Sequence, residues 1–340
     1  MALDFDYRPA PQVERLRAPA PRPRRAVPVV VGREVRLLVN ARASGAGGVH
    51  EVVARATAAL RAAGARVDTL LTRDEGELAA AVREAGDRRV VLVGGDGTVH
   101  AYANLGLPGL PPAALLPAGR ANNIARALGI PVDWDAAAEL AVRGRPAAVD
   151  ALEVVTPERR LFALEGVSAG FHAAARHRYN GMNSADLAAG VRALVTELAA
   201  FRPHHVALRA DGARMFDGPA AQVFLSNLPL FGFGFRVDPM ADHADGRLEA
   251  IVLDARTRRD VVRLLAAARQ GAHLEREGVR WSRATRVQVE SPLPLVADAQ
   301  PLGVTTATVT VAKGRLRLIA PEGAAAAGAV APIAAPERTA

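Results

Sequence analysis

The chain of 340 residues contains no cysteine, which excludes disulfides, thiolate metal sites and cysteine nucleophiles together. Aromatic residues make up only 4% of it, so aliphatic side chains and alanine must fill the interior. No apolar run approaches the roughly 18 residues that a membrane helix requires, and the N-terminus lacks the apolar core of a signal peptide. These absences predict a cytoplasmic protein, soluble or peripheral at the inner face of the membrane. Interleaved basic and aromatic residues are also missing, which argues against a nucleic-acid partner.

Half of the residues are apolar, and the length suits two domains with a core each. The net charge is +8, carried almost entirely by arginine. Guanidinium groups fork onto phosphate, so such a surface favours nucleotides or anionic lipid. Residues 1–33 read as a disordered arm rich in proline and arginine. It is either an electrostatic tether to an anionic membrane or an unselected extension. Residues 321–340 read as a low-complexity tail.

Between these tails, strands and helices alternate. Short apolar runs at 35–39, 67–71, 89–93 and 113–117 are separated by helical stretches. Thr72 and Glu75 form a capping-box pattern for the second of these helices. This rhythm predicts a doubly wound α/β domain with a parallel sheet over 34–148, where ligands sit at the carboxyl ends of the strands. After Asp150 strand-like runs dominate, at 149–155, 160–167, 204–210, 221–227, 247–254, 284–290, 293–297 and 304–311. Helical stretches interrupt them near 184–201 and 257–270. Residues 149–320 therefore read as a mostly antiparallel, sandwich-like β domain.

The strongest local signal is Gly94-Gly95-Asp96-Gly97-Thr98, followed by Val99 and His100. Glycines directly after a buried strand let the backbone turn and approach a ligand, and the next helix N-terminus suits a phosphate. Asp96 suits either Mg²⁺ or a ligand hydroxyl; Thr98 suits either a helix cap or a phosphate. Neither the dinucleotide nor the P-loop spacing is present. The alternative is a glycine-rich turn with Asp96 as a cap. Gly166-Val-Ser168-Ala-Gly170 matches a nucleophile-elbow string, but that reading also needs a strand-turn-helix setting. Backbone glycines are the simpler expectation.

The glycine loop with His100 resembles the signature of the diacylglycerol kinase and sphingosine kinase catalytic family, which is distantly similar to NAD kinases. The resemblance continues in order through most of 35–320. Asn40-Ala-Arg-Ala-Ser44-Gly45 is similar to the first nucleotide-contacting turn. Pro117-Ala-Gly119-Arg120-Ala-Asn122-Asn123 is similar to the family's Pro-x-Gly-Thr-x-Asn-Asp segment. Asn227-Leu-Pro, Gly232, Gly234 and Asp245-Gly246-Arg-Leu-Glu249 are similar to stretches of its β-rich domain.

The resemblance implies transfer of the ATP γ-phosphoryl group to a lipid hydroxyl, most simply that of diacylglycerol. It implies that Asn40, Ser44, Gly94, Gly95, Asp96, Gly97, Thr98 and Asn122 line the nucleotide site. Asp245 would belong to a Mg²⁺ site, and Asp298 would be the base that takes the acceptor proton. It leaves a homo-oligomeric state open. Arg120 stands where the family has Thr, Asn123 where it has Asp and Ala41 where it has Pro. Ala299 and Gln300 replace Gly and Glu beside the base. Two other outcomes follow from these departures: a catalytically impaired nucleotide- and lipid-binding relative, or a soluble-substrate kinase similar to NAD kinase.

Overall fold

The computed structural model describes residues 34–41, 48–180, 187–231, 236–298 and 300–323. The basic arm, Ser44, Gly232, Gly234, Ala299 and all but the first residues of the tail lie outside them.

The first half runs β1 (Glu34–Asn40), α1 (Gly48–Ala62), β2 (Arg66–Thr72), α2 (Glu75–Arg83), β3 (Arg89–Gly94), α3 (Asp96–Ala103), β4 (Ala113–Pro117), α4 (Asn123–Ala127) and α5 (Trp134–Arg143). The strands pair in parallel in the order β2-β1-β3-β4. Strand side chains alternate between faces, and in β1, β3 and β4 both faces are buried, whereas the edge strand β2 is largely half-buried or exposed. Leu37, Val91, Val93 and Leu116 pack under α1 and α5, whereas Leu38, Val90, Leu92 and Leu115 pack under α2, α3 and α4. That two-sided burial explains the unbroken apolar runs, and it makes the sheet doubly wound as expected.

The cap of α2 differs from expectation. Asp74, not Thr72, accepts the first-turn N–H, from Glu77 at 2.8 Å. Glu77 reaches back to the N–H of Arg73 at 2.8 Å, while Thr72 stays in β2 and gives its hydroxyl to Val39 O.

The second half runs β5 (Arg145–Val155), β6 (Arg160–Ala163), β7 (Gly166–Gly170), α6 (Phe171–Asn180), α7 (Leu187–Ala199), β8 (His204–Ala210), β9 (Ala213–Ala220), β10 (Gln222–Ser226), β11 (Leu248–Leu253), α8 (Arg258–Arg269), β12 (Val279–Ala284), β13 (Arg286–Glu290), β14 (Val296–Ala297), β15 (Gln300–Pro301) and β16 (Thr306–Ala320). Six strands form a second sheet in the order β12-β11-β10-β7-β14-β15. One face carries Val167, Val223, Leu225, Ala250 and Val252, which pack against Leu152, Leu208, Val287 and Val309 of the ten-stranded sheet that continues from β4 through β16, β13, β8 and β9, with β5 and β6 beside β16. This is the antiparallel sandwich. The other face carries Phe224, Ile251 and Leu253, covered by Phe171 and by Val261 and Leu264 of α8.

β16 belongs to both halves. It pairs antiparallel with β13 and β5, and its last turn of strand, at Leu318, meets Ala113 of β4 in parallel. The register with β5 shifts between Ala312 and Leu316, where Gly314 takes φ +56°. β9 and α6 were not expected from the sequence. Gly218 and Pro219 disguise β9, which nonetheless pairs with β8 through the Asp211-Gly212 turn.

Candidate active site

Three strand ends of the parallel sheet meet at one place. Asn40 closes β1 and gives its Nδ2 to Thr98 Oγ1 at 3.4 Å. Gly94 ends β3, and its carbonyl accepts the N–H of Ala118, just past β4, at 2.9 Å. Neither Gly94 nor Gly95 needs a left-handed backbone; Gly95 sits at φ −102°. What they need is space. A Cβ on Gly94 would lie 2.0 Å from Thr98 Oγ1, and one on Gly95 would lie 2.8 Å from the Cα of Gly119. A Cβ on Gly119 would in turn meet the Cα of Gly95 at 2.5 Å. The two loops thus touch backbone to backbone, which no side chain permits. Gly97 is different: a Cβ there meets nothing within 4 Å, and the residue is exposed at the first turn of α3.

Asn122 carries the positive φ of this region, at +50°, a conformation asparagine tolerates better than most residues. Its Oδ1 accepts the N–H of Gly119 at 2.9 Å and its Nδ2 donates to Gly119 O at 2.8 Å. Asp96 Oδ1 accepts the N–H of Ile124 at 2.9 Å, so it ties α3 to the start of α4. Burial pushes the Asp96 carboxyl above the usual aspartate range, the N–H groups of Ile124 and Asn123 oppose this, and the nearby Asp298 charge adds to it. Next in line, Asn123 Nδ2 donates to the buried Glu165 Oε2 at 2.8 Å.

Asp298 enters from the β-rich half. β14 and β15 pair Ala297 with Gln300, so Asp298 opens a two-residue hairpin loop, which calls for positive φ. Asp298 adopts φ +50°. Its Oδ1 accepts the N–H groups of Leu164 at 3.1 Å, Glu165 at 2.8 Å and Gly166 at 3.1 Å. Its Oδ2 accepts Leu164 at 2.9 Å and faces His100 Nδ1 at 2.7 Å. These amides explain why the expected strand 160–167 is broken into β6 and β7: at 164–166 the backbone serves a carboxylate rather than a neighbouring strand. Asn227 braces the same bend, donating to Leu164 O at 2.8 Å and to Asp150 O at 3.0 Å.

His100 is the residue that sequence reasoning quoted without giving it a role. Burial alone would pull its pKa down, but the hydrogen bond and charge of Asp298 outweigh that and leave it above the ordinary imidazole value. No local signal could have exposed the pairing, because its partner lies 198 positions away.

Asp245 lies elsewhere in the β-rich half. It is exposed, and its Oδ1 accepts the N–H of Arg247 at 2.8 Å. The following Gly246 gives its N–H to the buried Asp150 Oδ2 at 2.7 Å, and Gly314 does the same to Oδ1 at 2.7 Å. Nearby, burial pushes the Glu249 carboxyl up to about 8, helped by the adjacent Asp238 charge and hydrogen bond and opposed by Arg283, whose Nε donates to it at 2.8 Å. The hydrogen bonds among described residues join Asp298 and His100 across the two halves, whereas those of Asp245 stay within its own turn. Arg120 and Gln300 are both exposed.

Ser168 does not stand at an elbow. It lies in the middle of β7, opposite Phe224 and Val296, with its Oγ 3.1 Å from His172 Nδ1. Gly166 and Gly170 are there because a Cβ on either would strike a β10-side carbonyl, Leu225 O or Ala221 O.

A cradle that touches backbone to backbone beside a helix N-terminus suits a phosphate-bearing ligand. Both halves of the chain match known families. Residues 34–154 match the model of the diacylglycerol kinase catalytic domain, and residues 165–320 match that of the YegS C-terminal NAD kinase beta sandwich-like domain. A protein named diacylglycerol kinase from Mycobacterium tuberculosis is 30% identical over 252 residues, covering 72% of this chain and 80% of that protein. One named "Probable lipid kinase YegS-like" from Pseudomonas aeruginosa is 31% identical over 290 residues, covering 81% and 91%. The crystal structure of a diacylglycerol kinase from Bacillus anthracis superposes with a TM-score of 0.64 at 19% identity, over 86% of this chain and 98% of that one. An NAD kinase from Archaeoglobus fulgidus shares the fold at a TM-score of 0.50 and 16% identity, over 86% and 96%. With both halves matched in order, this chain belongs to the diacylglycerol kinase and YegS-like lipid kinase family.

Proposed function

We propose that this chain transfers the γ-phosphoryl group of ATP to a lipid hydroxyl, with diacylglycerol or a close relative as acceptor. The observation that carries the reading is the 2.7 Å link between His100, on the helix of the glycine loop, and Asp298, on the hairpin of the β-rich half. It joins the half suited to a nucleotide to the half expected to hold the acceptor. Phosphoryl transfer asks a protein chiefly to position both substrates and to neutralise developing charge.

In this reading residues 34–148 hold the nucleotide and residues 149–320 hold the lipid. Asn40, Gly94, Gly95, Gly97 and Thr98 line the phosphates, with Asn122 shaping the loop and Asp96 securing α3 to α4. Ser44 would join them from outside the described residues. The fit rests on the Gly95–Gly119 approach and on the open space above Gly97. Asp298 sits at the end expected to hold the acceptor, paired with His100. Mg²⁺ prefers oxygen ligands and commonly takes one or two carboxylates plus substrate phosphates; Asp245, exposed on its turn, is the carboxylate suited to it. When bound, the ion would neutralise phosphate charge. The proposed access to lipid is peripheral, at the cytoplasmic face; no described helix is long and apolar enough to cross a membrane.

The test is transfer of radiolabelled γ-phosphate from ATP-Mg²⁺ to a panel of diacylglycerol, sphingoid bases and NAD. A labelled lipid is the expected result and identifies the acceptor. Labelled NAD would replace this reading with a soluble-substrate kinase. ATP binding without any product would replace it with a binding-only relative.

A further inference from the structure

Asp298 is crowded for a base. A carboxylate offers about four lone-pair positions, and here four donors converge on them: three backbone N–H groups and His100. The amides belong to the bend between β6 and β7, which Asn227 and the bond from Asp298 N to Gly166 O also hold. Taking a proton from an acceptor hydroxyl at either oxygen would require one of these bonds to break.

The imidazole does not share this difficulty. Facing a carboxylate through Nδ1, the neutral ring carries its proton there, which makes Nε2 the acceptor nitrogen. We infer that His100 Nε2 takes the proton of the acceptor hydroxyl and that Asp298 is its positioning residue, fixing the tautomer and balancing the imidazolium. The inference rests on the lipid-kinase reading above. As the hydroxyl oxygen bonds to the γ-phosphorus, the bond from that phosphorus to the bridging oxygen breaks. Its electron pair leaves with ADP, and the hydroxyl proton moves to Nε2. Carboxylates that orient an imidazole in this way are a recurring arrangement in acyl transfer.

The charged groups around the ring are consistent with such a role. Asp298 dominates, Glu75 of α2 also favours the imidazolium, and Arg159 between β5 and β6 opposes it. Together with burial they leave the imidazole more basic than a free one, which suits a group that must hold a proton for part of each turnover.

The full chain, ATP-Mg²⁺ and diacylglycerol in mixed micelles provide the test. In the unsubstituted protein kcat/KM should rise with pH through one ionisation above the ordinary imidazole value of about 6.5. His100→Asn keeps a side-chain N–H for Asp298 but removes the titrating nitrogen. It should lower kcat by about 10²–10⁴-fold, abolish that inflection and leave ATP affinity within about twofold. Asp298→Asn should move the inflection down. Because His100 is buried, its titration is also followed by NMR in the unsubstituted chain, where no substitution can disturb folding. A His100 imidazole that titrates below a free one overturns the pairing. A His100→Asn protein with kcat within about threefold of the parent, or with the inflection intact, overturns the role of Nε2 while leaving the lipid-kinase reading in place. Failure of the unsubstituted protein to label any lipid removes that reading, and this assignment falls with it.

Discussion

Asp298 and Asp245 occupy turns of the same β-rich half, yet they are held in opposite ways. Asp298 is buried, with φ +50°, three backbone N–H groups and a histidine from the other half of the chain upon it. Asp245 is exposed, and its described hydrogen bond reaches only two residues along, to Arg247. Its turn is positioned instead by Asp150, which takes the N–H groups of Gly246 and Gly314 from within the core. A carboxylate committed to long-range bonds is fixed but has little left to offer a ligand. One that depends on a neighbour for its position keeps its own oxygens available.

The sharpest break in this contrast is Asp298→Asn. The amide cannot accept at both positions as the carboxylate does, and it can present an N–H to His100 in place of an acceptor. Turnover should fall about 10³-fold or more, with ATP affinity nearly unchanged, as measured by steady-state kinetics and calorimetry. If both fell together, Asp298 would be a structural residue only.

Asp150→Ala is next. It leaves the buried N–H of Gly246 without its acceptor and hands that of the exposed Gly314 to solvent, which should cost roughly 1–3 kcal/mol. Urea unfolding checks this; an unchanged midpoint would mean that the Asp245 turn supports itself.

The pair beside that turn gives a pH effect of definite sign. Glu249 is raised from 4.5 to about 8. Between those values the folded chain holds a proton that the unfolded chain has released, so stability declines as pH rises across the window. The slope should not exceed about 1.4 kcal/mol per pH unit, and Glu249→Gln should flatten it. Unfolding midpoints compared between about pH 5 and pH 8 test the sign.

The smallest effect on folding belongs to Asp245→Ala. An exposed residue with one local bond should change stability by less than about 0.5 kcal/mol. Its expected signature is a higher Mg²⁺ requirement in the kinase assay. An unchanged Mg²⁺ requirement would place the ion elsewhere.

Much of the parallel sheet was legible because β1, β3 and β4 are buried on both faces and read as near-continuous apolar runs. Leu37 and Leu38 serve opposite sides of the same strand. The glycines of the loop were legible too, but for another reason than expected: Gly94, Gly95 and Gly119 answer contact with Thr98 and with each other, while the left-handed positions fall on Asn122 and Asp298. What could not be read were features decided at a distance. The break at 164–166 exists because Asp298 claims those amides, and the value of His100 exists only through its partner. The capping error at Thr72 is of a different kind. Asp74, two residues on, stands at the same spacing from Glu77 as Thr72 from Glu75, and β2 claims Thr72.

The path of β16 has a consequence for how the protein is made. The chain leaves β4 at Pro117 and returns to pair with it only through the final strand, Thr306–Ala320. At about 5–20 residues per second, the edge of β4 waits roughly 10–40 seconds on the ribosome before its neighbour is synthesised. An unpaired edge in an apolar strand is an invitation to other chains. The first half is therefore the first to be translated and among the last to be complete.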